Sequence, residues 1–209
     1  STAERIYGGP AGRLVLLPVD KRLACAFIER HHSALPECNP RGMMYAIGAY
    51  FGGRLVAVAT AGTPTARWGP PCPQAGTLEL TRIASEGGLR RVDRRGRDVP
   101  VNASSALASR LIDLLPQSGR GSPGCRFVTY SLTDEEGSTY LALLGKGLRP
   151  VGRVAAARPS GARASSMGGL KGKAKVVWEA GPAARPPDWT VLPEHRRQRA
   201  ARAFSNRRA

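Results

Sequence analysis

Short apolar runs bounded by turn residues, alternating with stretches of helical periodicity, constrain this chain more than any other feature. Leu14-Val15-Leu16-Leu17 ends at Pro18 and reads as a strand. Asp20 then caps a helix through about Arg30, with Leu23, Ala24, Phe27 and Ile28 at helical spacing. Tyr45–Tyr50 and Leu55–Ala59 flank Gly52-Gly53, the pattern of a hairpin. Thr77–Ala84 alternates polar with apolar, a strand with one wet face. A loop over 86–98 precedes a helix from Asn102 or Ser104 to about Leu115, stopped by Pro116. Phe127–Leu132 is a further strand, and Thr133 or Asp134 caps a helix to about Leu144. Val151–Ala155 and Lys175–Glu179 complete the strands, on either side of an Ala/Gly/Ser/Lys-rich loop at 157–173. The order β-α-β-β-β-α-β-α-β-β predicts an α/β (α+β) fold, a mixed sheet flanked by helices. Residues 1–180 are expected to form the folded domain, and 181–209 a basic C-terminal tail.

With 209 residues the chain can bury one well-formed core. It has no apolar run of membrane-spanning length, and Ser1-Thr2-Ala3-Glu4-Arg5 lacks the apolar stretch of a secretory signal. Four cysteines, Cys25, Cys38, Cys72 and Cys125, lie at irregular spacings that suggest neither a disulfide framework nor a zinc site. The expectation is a cytoplasmic protein with no bound metal.

Charge points to the partner. Thirty-two Lys and Arg against fifteen Asp and Glu give a formal +17. Residues 149–209 carry fourteen of the bases and only three of the acids. An excess of this size, unevenly placed, attracts polyanions. The expected partner is a nucleic acid, DNA or RNA. Phosphate contacts are expected from Arg67, Arg82, the cluster Arg90, Arg91, Arg94, Arg95 and Arg97, and the tail residues Arg196, Arg197, Arg199 and Arg202.

Four local patterns carry chemistry. His31-His32 closes the first helix, and a neutral imidazole there could take a proton from an amine. Gly62-Thr63-Pro64-Thr65-Ala66-Arg67 is followed by Leu78-Glu79-Leu80-Thr81-Arg82; Asn102-Ala103-Ser104-Ser105-Ala106-Leu107 opens a helix; Thr129-Tyr130-Ser131-Leu132 runs into Glu135-Glu136-Gly137-Ser138. Each has a structural alternative: a helix-end histidine pair, a solvated strand pair at Glu79 and Arg82, simple caps at Asn102 and Ser104, a core aromatic at Tyr130.

Taken in order, from about His31 to Gly152, these patterns resemble the Mom-like branch of the GNAT-like (Gcn5-related N-acetyltransferase fold) proteins, phage and prophage proteins that modify DNA bases. The resemblance implies a GNAT-like fold and transfer of a small acyl-like or aminoacyl-like group onto a nucleobase nitrogen or base substituent, with a phage or prophage origin. It implies catalytic roles for His32 or His31, Glu79, Tyr130, Ser131 and Glu135, and donor binding by Asn102, Ser104 and Ser105. The R/Q-x-x-G-x-G/A run that cradles the coenzyme A pyrophosphate in ordinary GNAT acetyltransferases is absent from residues 86–106. The donor is therefore left unnamed, with acetyl-CoA one candidate. Two other functions fit the sequence: a conventional acetyl-CoA-dependent N-acetyltransferase, and a basic nucleic-acid-binding protein without activity.

Overall fold

A computed structural model describes residues 5–7, 14–32, 38, 40–64, 76–93, 95–118, 125–132, 138–155 and 173–205. Among these residues, ten strands and four α-helices follow one another as β1 (Arg5–Tyr7), β2 (Leu14–Pro18), α1 (Lys21–His31), β3 (Met43–Phe51), β4 (Arg54–Gly62), β5 (Thr77–Ser85), β6 (Arg90–Val92), β7 (Asp98–Pro100), α2 (Ala103–Asp113), β8 (Arg126–Leu132), α3 (Ser138–Leu141), β9 (Arg149–Val154), β10 (Lys175–Ala180) and α4 (Glu194–Ser205). Eight strands form a sheet in the order β1-β2-β3-β4-β5-β8-β10-β9, and β6 and β7 pair separately. The sheet is mixed: β5 and β8 run parallel, whereas β2–β3, β3–β4 and β8–β10 are antiparallel. The expected α/β class is the observed one.

Two compact units divide the chain: Ser1–Thr63 with Leu80–Leu111, and Pro64–Glu79 with Ile112–Ala209. β5 gives residues to both.

In the first unit Asp20 caps α1 as its sequence suggests, its carboxylate accepting from the N–H groups of Arg22 and Leu23. The apolar stripe Ala24, Cys25, Phe27 and Ile28 then packs on Met43, Ala46, Val58 and Ala84 of the sheet. Gly52 and Gly53 turn the β3–β4 hairpin at φ 58° and 79°, a left-handed pair that disfavours side chains. At the other end of β4, a Cβ on Gly62 would lie 2.0 Å from the Gly42 carbonyl oxygen, so only glycine lets those two backbones meet.

The second unit buries Phe127 of β8 and Trp178 of β10, both 0% exposed, and the Trp178 ring stacks on Tyr140 of α3 with centroids 5.6 Å apart. Several of its buried polar groups satisfy one another. Trp178 Nε1 donates to Ser131 Oγ at 2.9 Å, and the Tyr140 hydroxyl donates to the Tyr130 carbonyl at 3.1 Å. Glu179, 2% exposed, accepts from Arg126 and from the backbone and guanidinium of Arg185.

Three expectations change. The Arg-rich stretch 86–98 is not a loop but the β6–β7 hairpin, turned by Gly96 at φ 73° and pinned by the Asp93 carboxylate. The segment after residue 180 is not a solvated tail throughout. Val191 and Leu192 are buried, Arg153 donates to the Val191 carbonyl at 2.7 Å, and α4 buries Ala200. The helix expected from Thr133 or Asp134 to Leu144 is seen only as the short α3 and a 3-10 turn at Leu144–Lys146. Residues 133–137 lie outside the described ones.

Candidate functional site

Two histidines close α1. His31 supplies the last helical position, and His32 caps the helix, its backbone N–H donating to the Ile28 carbonyl at 2.8 Å. The two imidazoles have different surroundings. The His31 ring packs on Phe27 with centroids 4.4 Å apart, one helical turn back, which serves the helix itself. The His32 ring is half-buried. Loss of solvent lowers its pKa from the ordinary 6.5, and the positive charge of Arg82 lowers it further. His32 is thus held neutral at neutral pH, the state in which an imidazole accepts a proton. Of the two histidines that the sequence left open, the electrostatics single out His32.

β5 supplies the neighbouring groups in this unit. Arg82 is half-buried and its Nη1 donates to the Thr81 carbonyl at 2.7 Å. Beside it the Thr81 and Thr60 hydroxyls lie 2.8 Å apart, tying β5 to β4. Cys38 returns to the α1 cluster and shares a hydrogen bond with Cys25. Neither thiol pattern stood out in the sequence, because nothing in their spacing brings them together.

The start of α2 is an anion-friendly corner of the same unit. The Asn102 carbonyl accepts from the Ala106 N–H, so Asn102 stands at the cap, and it is exposed. Ser104 and Ser105 in the first turn are half-exposed. The first-turn N–H groups of a helix have no acceptor within it, and together with two hydroxyls they suit a phosphate oxygen.

The other expected site residues fall in the second unit or outside the described residues. Glu79 is 5% exposed on β5. Tyr130 packs against Val128, Val151 and Val177, and Ser131 is 2% exposed with its hydroxyl taken by Trp178. Glu135 and Arg67 lie outside the described residues.

The arginines sort by what they touch. Arg90 pairs with Asp98 and Arg97 with Asp93, so two of the hairpin's cations neutralise its own acids. Asp93 titrates below its ordinary range because the Arg97 backbone and guanidinium both donate to it. Arg95 is exposed and Arg91 half-exposed; Arg94 lies outside the described residues. On α4, Arg196 is only 4% exposed and cannot be the surface phosphate contact expected of it, because it sits on the helix face that also buries Ala200. Arg197 is held by Glu194 at 2.9 Å, Arg199 is exposed, and Arg202 lies on the same helix.

Among the described residues no three His, Cys, Asp or Glu side chains converge to hold a metal ion, and no helix is long and apolar enough to cross a membrane.

No protein-family model matches the chain, and no curated protein matches it in sequence. Solved structures do match its fold. The ribosomal-protein-S18-alanine N-acetyltransferase of Escherichia coli aligns over 82% of this chain and 95% of its own, at TM-score 0.50 and 14% identity. An N-acetyltransferase of Staphylococcus aureus aligns over 81% and 98%, at TM-score 0.52 and 14% identity. A Salmonella typhimurium protein, described as an acetyltransferase with its cofactor acetyl-CoA, aligns over 84% and 98%, at TM-score 0.53 and 13% identity. The fold is therefore that of the GNAT-type acetyltransferases. At this identity the likeness defines the fold and leaves the reaction to the site.

Proposed function

We propose that the chain is an N-acyltransferase that moves an acyl group from acyl-coenzyme A to an amine. The observation that carries this reading is His32: a half-buried imidazole kept neutral by desolvation and by Arg82, on a fold shared with acetyltransferases. The residues at the α2 start fit a diphosphate, with first-turn N–H groups and the Ser104 and Ser105 hydroxyls replacing the missing glycine run. When bound, the coenzyme would supply a thioester whose carbonyl carbon is open to attack.

The chain's own residues account for the proton. An ammonium acceptor is unreactive until it loses one, and the neutral His32 imidazole accepts it at a ring nitrogen. Arg82 opposes build-up of a second positive charge on that ring, so His32 gives the proton up again readily. The same cation favours the negative charge that grows on a carbonyl oxygen during acyl transfer. A base in this role supplies about 10²–10⁴-fold in rate.

The test is to incubate the purified chain with acetyl-CoA and three acceptor pools: small amines, peptides with free N-termini, and nucleic acid. Mass spectrometry would then look for acetyl addition. Transfer to any pool supports the reading; no transfer, with no saturable acetyl-CoA binding, overturns it.

The +17 charge favours a second reading, in which the acceptor amine or base substituent belongs to DNA, as in the phage base-modification proteins. Exposed Arg95 and Arg199 would then hold the phosphate backbone. A modified nucleoside in DNA from cells making the protein would support this acceptor. Its absence, together with acetylation of peptides or small amines, would exclude it.

A further inference from the structure

Cys25 and Cys38 are a pair of thiols whose reactivity the acyl-transfer reading does not use. Cys25 lies on the buried face of α1 and is 8% exposed. Cys38 lies beyond the end of that helix, is half-exposed, and packs back on the apolar cluster that contains Cys25. Both thiols are reduced, and their side chains are hydrogen-bonded to each other. Two thiols packed within one cluster are close enough that a small rearrangement lets them bond.

We propose that Cys25 and Cys38 are a thiol-modification site: a dithiol that low-molecular-weight disulfides close into an intramolecular disulfide, fastening Cys38 to the buried face of α1. The half-exposed Cys38 meets the reagent. Its thiol loses a proton to solvent, and its sulfur attacks one sulfur of the small disulfide. That S–S bond breaks, and one small thiolate leaves. Cys25, losing its own proton, then attacks the Cys38 sulfur and expels the second small thiol. Two protein S–H bonds are replaced by one S–S bond, and one small disulfide is reduced to two thiols. Because Cys25 is already in contact, the mixed disulfide on Cys38 is short-lived.

The surroundings set the rate. Cys25 and Glu29 of α1 and Arg82 of β5 act on Cys38. Burial, the Cys25 hydrogen bond and the Glu29 charge outweigh Arg82 and push the thiol up to about 12. The thiolate that must attack is scarce at neutral pH, so closure there is slow, and it accelerates about tenfold per pH unit as the solution is made alkaline. The pair is thereby guarded against casual oxidation.

The experiment treats the full chain with oxidised glutathione at mildly alkaline pH, blocks remaining thiols, digests without reductant and maps the peptides by mass. The expected product is a Cys25–Cys38 cross-linked peptide, in a protein two hydrogens lighter and carrying no glutathione. Cys25→Ser should instead accumulate glutathione on Cys38, and Cys38→Ser should leave Cys25 a free thiol. Stable glutathione on Cys38 of the unaltered chain would overturn the proposal, as would Cys38 joined to Cys72, or both thiols left free at every pH. If Cys25→Ser fails to fold, the unaltered chain and Cys38→Ser still decide it. The readout is thiol chemistry alone, so it stands or falls separately from acyl transfer.

Discussion

In the Pro64–Glu79/Ile112–Ala209 unit, Glu179 is 2% exposed and is met by Arg126 and by Arg185, while Ser131 and Trp178 satisfy each other. In the Ser1–Thr63/Leu80–Leu111 unit, His32 is half-buried beside the like charge of Arg82, a neighbour that opposes its protonation. Both places are polar and withdrawn from water, yet they do different work. A buried acid ringed by donors is held in one state, and its value is mechanical. A base deprived of water and set near a cation is kept from its charged form and so stays neutral at neutral pH.

Removing a partner from the second unit should have the largest effect. Glu179→Ala leaves the Arg126 guanidinium, itself 8% exposed, buried without its counter-ion, and should lower unfolding stability by about 3–5 kcal/mol in denaturant titration. Trp178→Ala should cost a similar ~3–5 kcal/mol, through the cavity it opens. A loss below about 1 kcal/mol in both variants would show that these groups do not form the unit's core.

His32 makes the opposite prediction, because its effect depends on pH. Its folded pKa lies below the ordinary 6.5, so both folded and unfolded chains carry it neutral above that value. As pH falls through 6.5 the unfolded chain takes up a proton that the folded one resists, and stability is lost. His32→Gln should therefore make unfolding stability less sensitive to pH on the acid side while changing it little at neutral pH. An unchanged acid-side slope would mean that the ring is ordinarily solvated.

Surface cations should give the smallest effects. If the chain binds DNA, Arg95→Ala and Arg199→Ala should each reduce the slope of log K against log salt by about 1. Arg97→Ala and Arg90→Ala should change it less, since those cations already face Asp93 and Asp98. Equal effects from all four would mean that the hairpin pairs open on binding. Point substitutions are needed here, because deleting the C-terminal segment would also remove buried Val191, Leu192 and Ala200.

What was legible in the sequence was what periodicity and capping encode. Asp20 marks the α1 start, Gly52-Gly53 the hairpin, and the run Phe127–Leu132 a strand, all as observed. The β6–β7 hairpin was hidden because its strands are three residues each, with a single valine apiece among arginine, aspartate and proline, too short for an alternating pattern to show. The burial of Arg196 was hidden because a helix with few apolar residues reads as solvated, and only tertiary packing decides which face turns inward. For the site, the sequence offered both His31 and His32 and leaned to His32; the Phe27 ring against one and Arg82 near the other are the structural difference between them. Glu79 and Ser131 were legible as polar residues on strands, but not as buried ones.

The central claim is that His32 acts as a neutral base in acyl transfer, and the pH dependence of acetyl transfer from acetyl-CoA tests it most directly. The unaltered chain should hold its rate down to a pH below 6.5 before the acid limb falls, because the folded imidazole resists protonation. His32→Gln, folded to the same extent, should lose about 10²–10⁴-fold at neutral pH and show no limb in that range. A His32→Gln protein that retains the full rate and the same acid limb would contradict the account.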